Sequence, residues 1–84
     1  MSHEVFSKRI KELRITHGLT TRMMAEKIGV TNAAISYYEN GKREPTLSII
    51  LAYSKYFGVT LDYLLGLSDE PLRKKEWLNE NTKS

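Results

Sequence analysis

The spacing of apolar residues along the chain predicts short helices separated by polar turns. Phe6, Ile10 and Leu13 recur at i, i+4 and i+7 among Lys8, Arg9, Lys11 and Glu12, which predicts an amphipathic first helix over residues 4–16. Gly18 follows it as a stop signal. Met24, Ala25 and Ile28 give a second helix one apolar face, with Thr20 or Thr21 at its start and Gly29 at its end. Met23 and Met24 together read as core filler. Val30 fits the corner, and Thr31 is placed to cap a third helix whose Ile35 and Tyr38 point at the same core. Thr46 caps a fourth helix over residues 47–56, with an apolar face of Leu47, Ile50, Leu51, Tyr53 and Phe57. Gly58 ends it, and Thr60 caps a fifth over 61–65 with Asp62 near its positive end.

Asn32, Ala33, Ser36 and Tyr37 are left outside this pattern on the third helix. They are small or hydrogen-bonding and carry no charge. A solvated helix surface ordinarily carries Lys and Glu, so this face is reserved for a partner. The fifth helix raises a different question. Leu61, Leu64, Leu65 and Leu67 are more than a turn and a half can bury inward, which predicts that some of them face a second subunit.

Within residues 21–40, Ala25, Gly29 and Ile35 stand at the fifth, ninth and fifteenth places. With GKREP at 41–45 and FGVTLDYLLG at 57–66, the chain resembles the phage-repressor-like (Cro/XRE) helix-turn-helix family over residues 6–67. The resemblance implies an all-α fold: a compact five-helix, lambda-repressor-like DNA-binding domain over 1–67, with the motif at 21–40. Residues 68–84 would form a C-terminal tail, with a short helix aiding dimerisation. The third helix would then lie in the major groove with its N-terminal part against base edges. Asn32 matches adenine N6 and N7, and Ala33 can meet a thymine methyl. Ser36 can reach a base or a phosphate. Tyr37 can lay its ring on a sugar or a methyl and its hydroxyl on phosphate. Asn32 can equally serve the helix cap, and Tyr37 can lie flat on the protein.

Phosphate contacts are expected from Thr21 and Arg22 at the start of the second helix, where unpaired N–H groups favour an anion. The family most often has Gln at the place of Thr21, and threonine offers only one donor. Thr31, and Asn40, Lys42 and Arg43 in the following loop, complete the expected phosphate set. The resemblance also implies a bidentate ion pair between Arg14 and Glu39; on pattern alone Arg14 is equally a solvated helix charge.

Composition narrows the function classes. Eighty-four residues make one domain with one modest core, for which oligomerisation is a plausible source of stability. The net charge of +3 is carried by residues 1–67, with nine basic and six acidic side chains; residues 68–84 balance at four and four. This permits a polyanionic partner without demanding one. There is no cysteine, hence no disulfide and no thiolate metal site. No metal and no cofactor are expected. His3 and His17 lack metal-spaced acidic partners, and Gly41-Lys42 lacks the flanking residues of a P-loop. No nucleophile–base arrangement stands out, so the chain is not read as an enzyme. No apolar run reaches membrane length and no signal peptide is visible, which predicts a cytoplasmic protein.

In the tail, Ser68 or Asp69 can cap a short helix with Pro71 in its first turn, reaching about residue 79. Arg73-Lys74-Lys75 reads as a solvated face rather than a DNA arm. Trp77 is expected to pack on the first or fifth helix or in a dimer seam. The function expected is a regulator of transcription that binds double-stranded DNA, a repressor acting as a homodimer on a palindromic operator. The alternative is the antitoxin of a toxin–antitoxin pair, with the tail covering the toxin; an antirepressor is another possible protein partner. A pure protein-interaction module on the same scaffold is the remaining reading.

Overall fold

Four threonines set where four of the five helices begin. In the computed structural model, which describes residues 3–72, the elements are α1 (His3–Thr16), α2 (Thr21–Ile28), α3 (Asn32–Glu39), α4 (Leu47–Phe57) and α5 (Leu61–Leu64). Thr20, Thr31, Thr46 and Thr60 stand one residue before α2, α3, α4 and α5. Their hydroxyls accept the backbone N–H of Met23, Ala34, Ile49 and Tyr63 at 3.1, 3.1, 3.3 and 3.0 Å. Each such cap satisfies a donor the helix cannot, and is worth about 1 kcal/mol. No strand occurs among the described residues.

The corner between α2 and α3 depends on Gly29. Its φ of 85° is left-handed, and both its own N–H and that of Val30 return to the Ala25 carbonyl, at 2.8 and 3.0 Å. A Cβ would strain that conformation. Ala25 on α2 and Ala34 on α3 are both buried, and the two helices pack against each other.

The core draws on every helix: Phe6 and Ile10 from α1, Met24 and Ala25 from α2, Ala34, Ile35 and Tyr38 from α3, Ile50 and Tyr53 from α4, then Val59 and Leu64. Phe6 meets Tyr53 edge to face with ring centroids 5.7 Å apart. Burying each large side chain contributes about 1.5–3 kcal/mol. Burial pushes the Tyr53 phenol well above its usual pKa, with the Glu39 carboxylate adding to the shift. Its hydroxyl has no hydrogen-bond partner among the described residues.

A second set of contacts folds the segment after α5 back onto α1. The Arg9 guanidinium lies 4.2 Å from the Tyr63 ring centroid. It donates to the carbonyls of Tyr63 and Ser68 and pairs with Asp69 at 2.9 Å. The Thr60 N–H donates to the Pro71 carbonyl at 2.9 Å. Gly66 closes the loop at φ 81°, where an added Cβ would stand 3.0 Å from Cγ1 of Val5.

Several expectations need correction. Leu64 is wholly buried in the core, so it cannot face a second subunit. Leu61 and Leu65 are half-buried against the same core, while Leu67 is 75% exposed. Met23 is exposed and only Met24 is core, because neighbours in a helix point about 100° apart. Leu47 and Leu51 are exposed, since α4 packs against α2 and α5 and leaves that row outside. Residues 67–72 contain bends rather than the start of a helix. Trp77, the basic run at 73–75 and the rest of the expected tail helix lie outside the described residues.

Two substitutions check this account. Gly66→Ala combines a left-handed Cβ with a collision at Val5 and should cost about 1–3 kcal/mol, a Tm lower by about 4–8 °C per kcal/mol. Tyr53→Phe removes a hydroxyl without a partner among the described residues, so thermal unfolding should show an unchanged or higher Tm. A clear loss on Tyr53→Phe would mean that the hydroxyl is bonded after all.

Candidate nucleic-acid interface

An eight-residue helix in isolation is far too short to persist in water. The position of α3 is therefore set by what holds it. Ala34, Ile35 and Tyr38 are buried and fix its inner face. The helical period then leaves Asn32, Ala33, Ser36 and Tyr37 exposed together on the outer face. The cap is made by Thr31, and the Asn32 side chain makes no hydrogen bond to the described residues. Asn40 Nδ2 donates to Ser36 Oγ at 3.3 Å, one turn apart. The outer face is thus uncharged and built from an amide, a methyl, a hydroxyl and a phenol.

The far end of α3 is closed by two backbone bonds. The Gly41 N–H reaches the Tyr38 carbonyl at 3.3 Å, and the Lys42 N–H reaches that of Tyr37 at 2.9 Å. This turn carries Asn40, Lys42 and Arg43, all exposed, away from the last turn of α3. The Arg43 guanidinium sits over the Tyr37 ring, 4.9 Å from its centroid. At the start of α2, the Thr20 cap takes the Met23 N–H, leaving those of Thr21 and Arg22 without intrahelical acceptors. Arg22 is exposed and Thr21 half-buried.

Helix α1 seats this assembly through one row of side chains. Arg14 Nε donates to Glu39 Oε2 at 2.6 Å, and its Nη2 to Oε1 at 3.0 Å. Its Nη1 donates to the Leu19 carbonyl at 2.7 Å. The two side chains are only 12% and 5% exposed. The hydrogen bonds Arg14 donates to Glu39 hold its pKa above the usual value; burial opposes this and the carboxylate's charge adds to it. One face further toward the start of α1, the Ser7 hydroxyl donates to the Tyr38 carbonyl, and His3 Nε2 donates to the Gly41 carbonyl at 3.0 Å. His3, Ser7 and Arg14 thus grip the last turn of α3 at successive points.

The roles of His3, Ser7 and Arg9 were not visible in the sequence pattern. The available signal was spacing: His3, Ser7 and Arg14 fall at i, i+4 and i+11, a polar row beside the apolar stripe. Ser7 is buried although polar. His17 places Nδ1 2.8 Å from the Leu13 carbonyl and packs on the Phe57 ring at 4.8 Å.

Two helices joined at a glycine corner, the second with its outer face bare, define a helix-turn-helix protein. The chain belongs to the helix-turn-helix family (HTH_3), which it matches over residues 10–64. The match is of the Cro/XRE type, as the sequence resemblance implies. Among its relatives are two from Bacillus subtilis. The uncharacterised HTH-type transcriptional regulator YobD is 35% identical over 75 residues, covering 89% of this chain and 67% of that protein. The HTH-type transcriptional regulator ImmR is 41% identical over 69 residues, covering 82% of this chain and 54% of its own length. The chain therefore spans two thirds of one relative and about half of the other. Among solved structures, the P22 c2 repressor in complex with a synthetic operator is similar, with a TM-score of 0.66 and 32% identity. That match covers 70% of this chain and 89% of the repressor. The all-α, five-helix repressor-like fold stands on these comparisons. No helix among the described residues is long and apolar enough to cross a membrane.

The Arg14–Glu39 pair gives a direct test. Glu39→Gln leaves a guanidinium largely buried without its counter-charge and should cost about 3–5 kcal/mol, read as a fall in the urea midpoint. Arg14→Met with Glu39→Gln should recover part of the loss, because the unpaired charge is then gone.

Proposed function

We propose that this chain is a transcriptional regulator that binds double-stranded DNA sequence-specifically, a repressor acting on a palindromic operator as a homodimer. The observation that carries the proposal is the bare outer face of α3. A solvated helix of this length would ordinarily carry charge there, and Asn32, Ala33, Ser36 and Tyr37 carry none. All four are exposed on a helix whose inner face and last turn are clamped. That combination suits insertion into a major groove, where base edges offer acceptors, donors and thymine methyls. The similarity to a repressor solved on an operator supports the same direction.

In this reading Asn32 and Ala33 meet base edges, Ser36 and Tyr37 extend the contact one turn further, and phosphates lie against Thr21, Arg22, Thr31, Asn40 and Lys42; Arg43, expected in the same set, is separated from it by its place over the Tyr37 ring. Helix N-termini and Lys side chains fix the register on the backbone and carry no sequence information. One α3 spans few base pairs, so a two-fold pair of chains, their α3 helices about 34–36 Å apart, is needed for a useful site. Leu67, with the half-buried Leu61 and Leu65, is the seam proposed for that pair. Repression is then steric, through occupation of a promoter.

Selection of binding sites from random duplexes, combined with the mass of the complex, tests the whole proposal. Asn32→Ala should relax preference at one base pair by about 1–3 kcal/mol and leave the others intact. Lys42→Ala should weaken every sequence by a similar factor and lower the salt slope by about one unit. A protein that selects no sequence at low salt, or that binds its site as a single copy, would overturn the respective half of the proposal.

A further inference from the structure

The described arginines are used in different ways. Arg9 and Arg14 spend their donors inside the molecule: Arg9 on the Tyr63 and Ser68 carbonyls and Asp69, Arg14 on Glu39 and the Leu19 carbonyl. Arg43 has an aromatic neighbour but no such partner. Its guanidinium lies over the Tyr37 ring, 4.9 Å from the centroid, within the reach of a cation–π contact. It makes no hydrogen bond or ion pair with any described residue, although Glu44 is its neighbour in sequence. Both Tyr37 and Arg43 are exposed, Tyr37 at 42%.

A phosphate needs only a positive charge within reach, and an unsupported lysine such as Lys42 provides it. A stacked guanidinium is more constrained. The ring limits where it lies while its N–H fork stays available for a bidentate partner, whether a phosphate or a guanine edge, so its place over the α3 face decides between them. The ring that holds it belongs to the outer face of α3, four residues on from Ala33 and on the same side of the helix. The guanidinium is thereby drawn back from the loop onto the face assigned to base edges.

Resting on the DNA-reading proposal above, we infer that Arg43 is a specificity-determining residue, held by the Tyr37 ring to read a guanine through O6 and N7, rather than a phosphate contact. Arginine bidentate to these two acceptors is the pairing that major-groove geometry favours. Four residues of helix rise about 6 Å, close to two base steps, so the guanine lies about two base pairs beyond the one under Ala33, on the Tyr37 side. Tyr37 is in this respect a positioning residue: its ring orients Arg43, and its hydroxyl is not required.

The test uses the full chain, site selection from random duplexes, and fluorescence anisotropy on the selected site and on its single-base variants. Four proteins are compared with the wild type: Arg43→Ala, Tyr37→Leu, Tyr37→Phe and the double variant Tyr37→Leu with Arg43→Ala. Both side chains are exposed, and matching thermal melts check that the fold is unchanged. Arg43→Ala should reduce the preference for guanine at one position by between about fivefold and 150-fold, the range of a bidentate contact. Tyr37→Leu should reduce it at the same position, Tyr37→Phe should retain it, and the double variant should discriminate no worse there than Arg43→Ala. If Arg43→Ala weakens binding to all sequences by one common factor, Arg43 is a phosphate contact and the inference fails while the DNA-reading proposal stands. If Tyr37→Phe loses the preference as Tyr37→Leu does, the ring is not the holder and the coupling fails. A wild type that selects no sequence removes both the inference and the proposal beneath it.

Discussion

The grip of α1 on the last turn of α3 is the constraint on which the rest of the molecule depends. Eight residues do not form a persistent helix by themselves. Apolar burial of Ala34, Ile35 and Tyr38 supplies attraction but little orientation, because hydrophobic contact is not directional. Orientation comes from the fork of Arg14 on Glu39, supplemented by Ser7 on the Tyr38 carbonyl and His3 on the Gly41 carbonyl. These three contacts act on the C-terminal end, while Thr31 and the Gly29 corner fix the N-terminal end. With both ends determined, the four outward side chains have one placement in space rather than several.

The local grammar of the fold was open to reading because it is written in single residues. A threonine one position before an apolar helical row, or a glycine one position after it, carries its own physical reason. The structure uses Thr20, Thr31, Thr46 and Thr60 and the glycine corner in that way. Choosing Thr20 over Thr21 needed the coordinates, since adjacent threonines offer equivalent chemistry. The tertiary decisions were less legible. Met23 and Met24 are alike as residues, and only the direction of α2 against its neighbours separates the exposed one from the buried one. The leucines around α5 posed the same problem. Their number argued for a second surface, yet Leu64 fills the core, and Leu67 is the one left out.

The polar contacts from α1 were hidden for a further reason. Nothing in the pattern of α1 states which of its polar residues meet a carbonyl on another helix. Arg14 was reached only through a family resemblance, and Arg9, placed among the solvated charges, instead clamps α5 and the segment after it. For the outer face of α3 the opposite holds. Its exposure followed from the burial of its inner face, and it was the absence of charge, not the presence of any one residue, that marked it.

One consequence follows from the bareness of that outer face. Asn32 and Ala33 support neither the core nor a cap; Ser36 accepts a hydrogen bond from Asn40 and Tyr37 lies under Arg43, and both of those residues are outside the core. Of the eight residues of α3, one set thus carries stability and the other, as proposed, carries the choice of target. On the reading proposed for this face, exchanging these side chains would change the preferred target while leaving the core and the caps in place. A duplicated copy of such a domain can drift toward a new target through substitutions that leave folding untouched, and grafting those positions between relatives is a rational route to a redirected regulator.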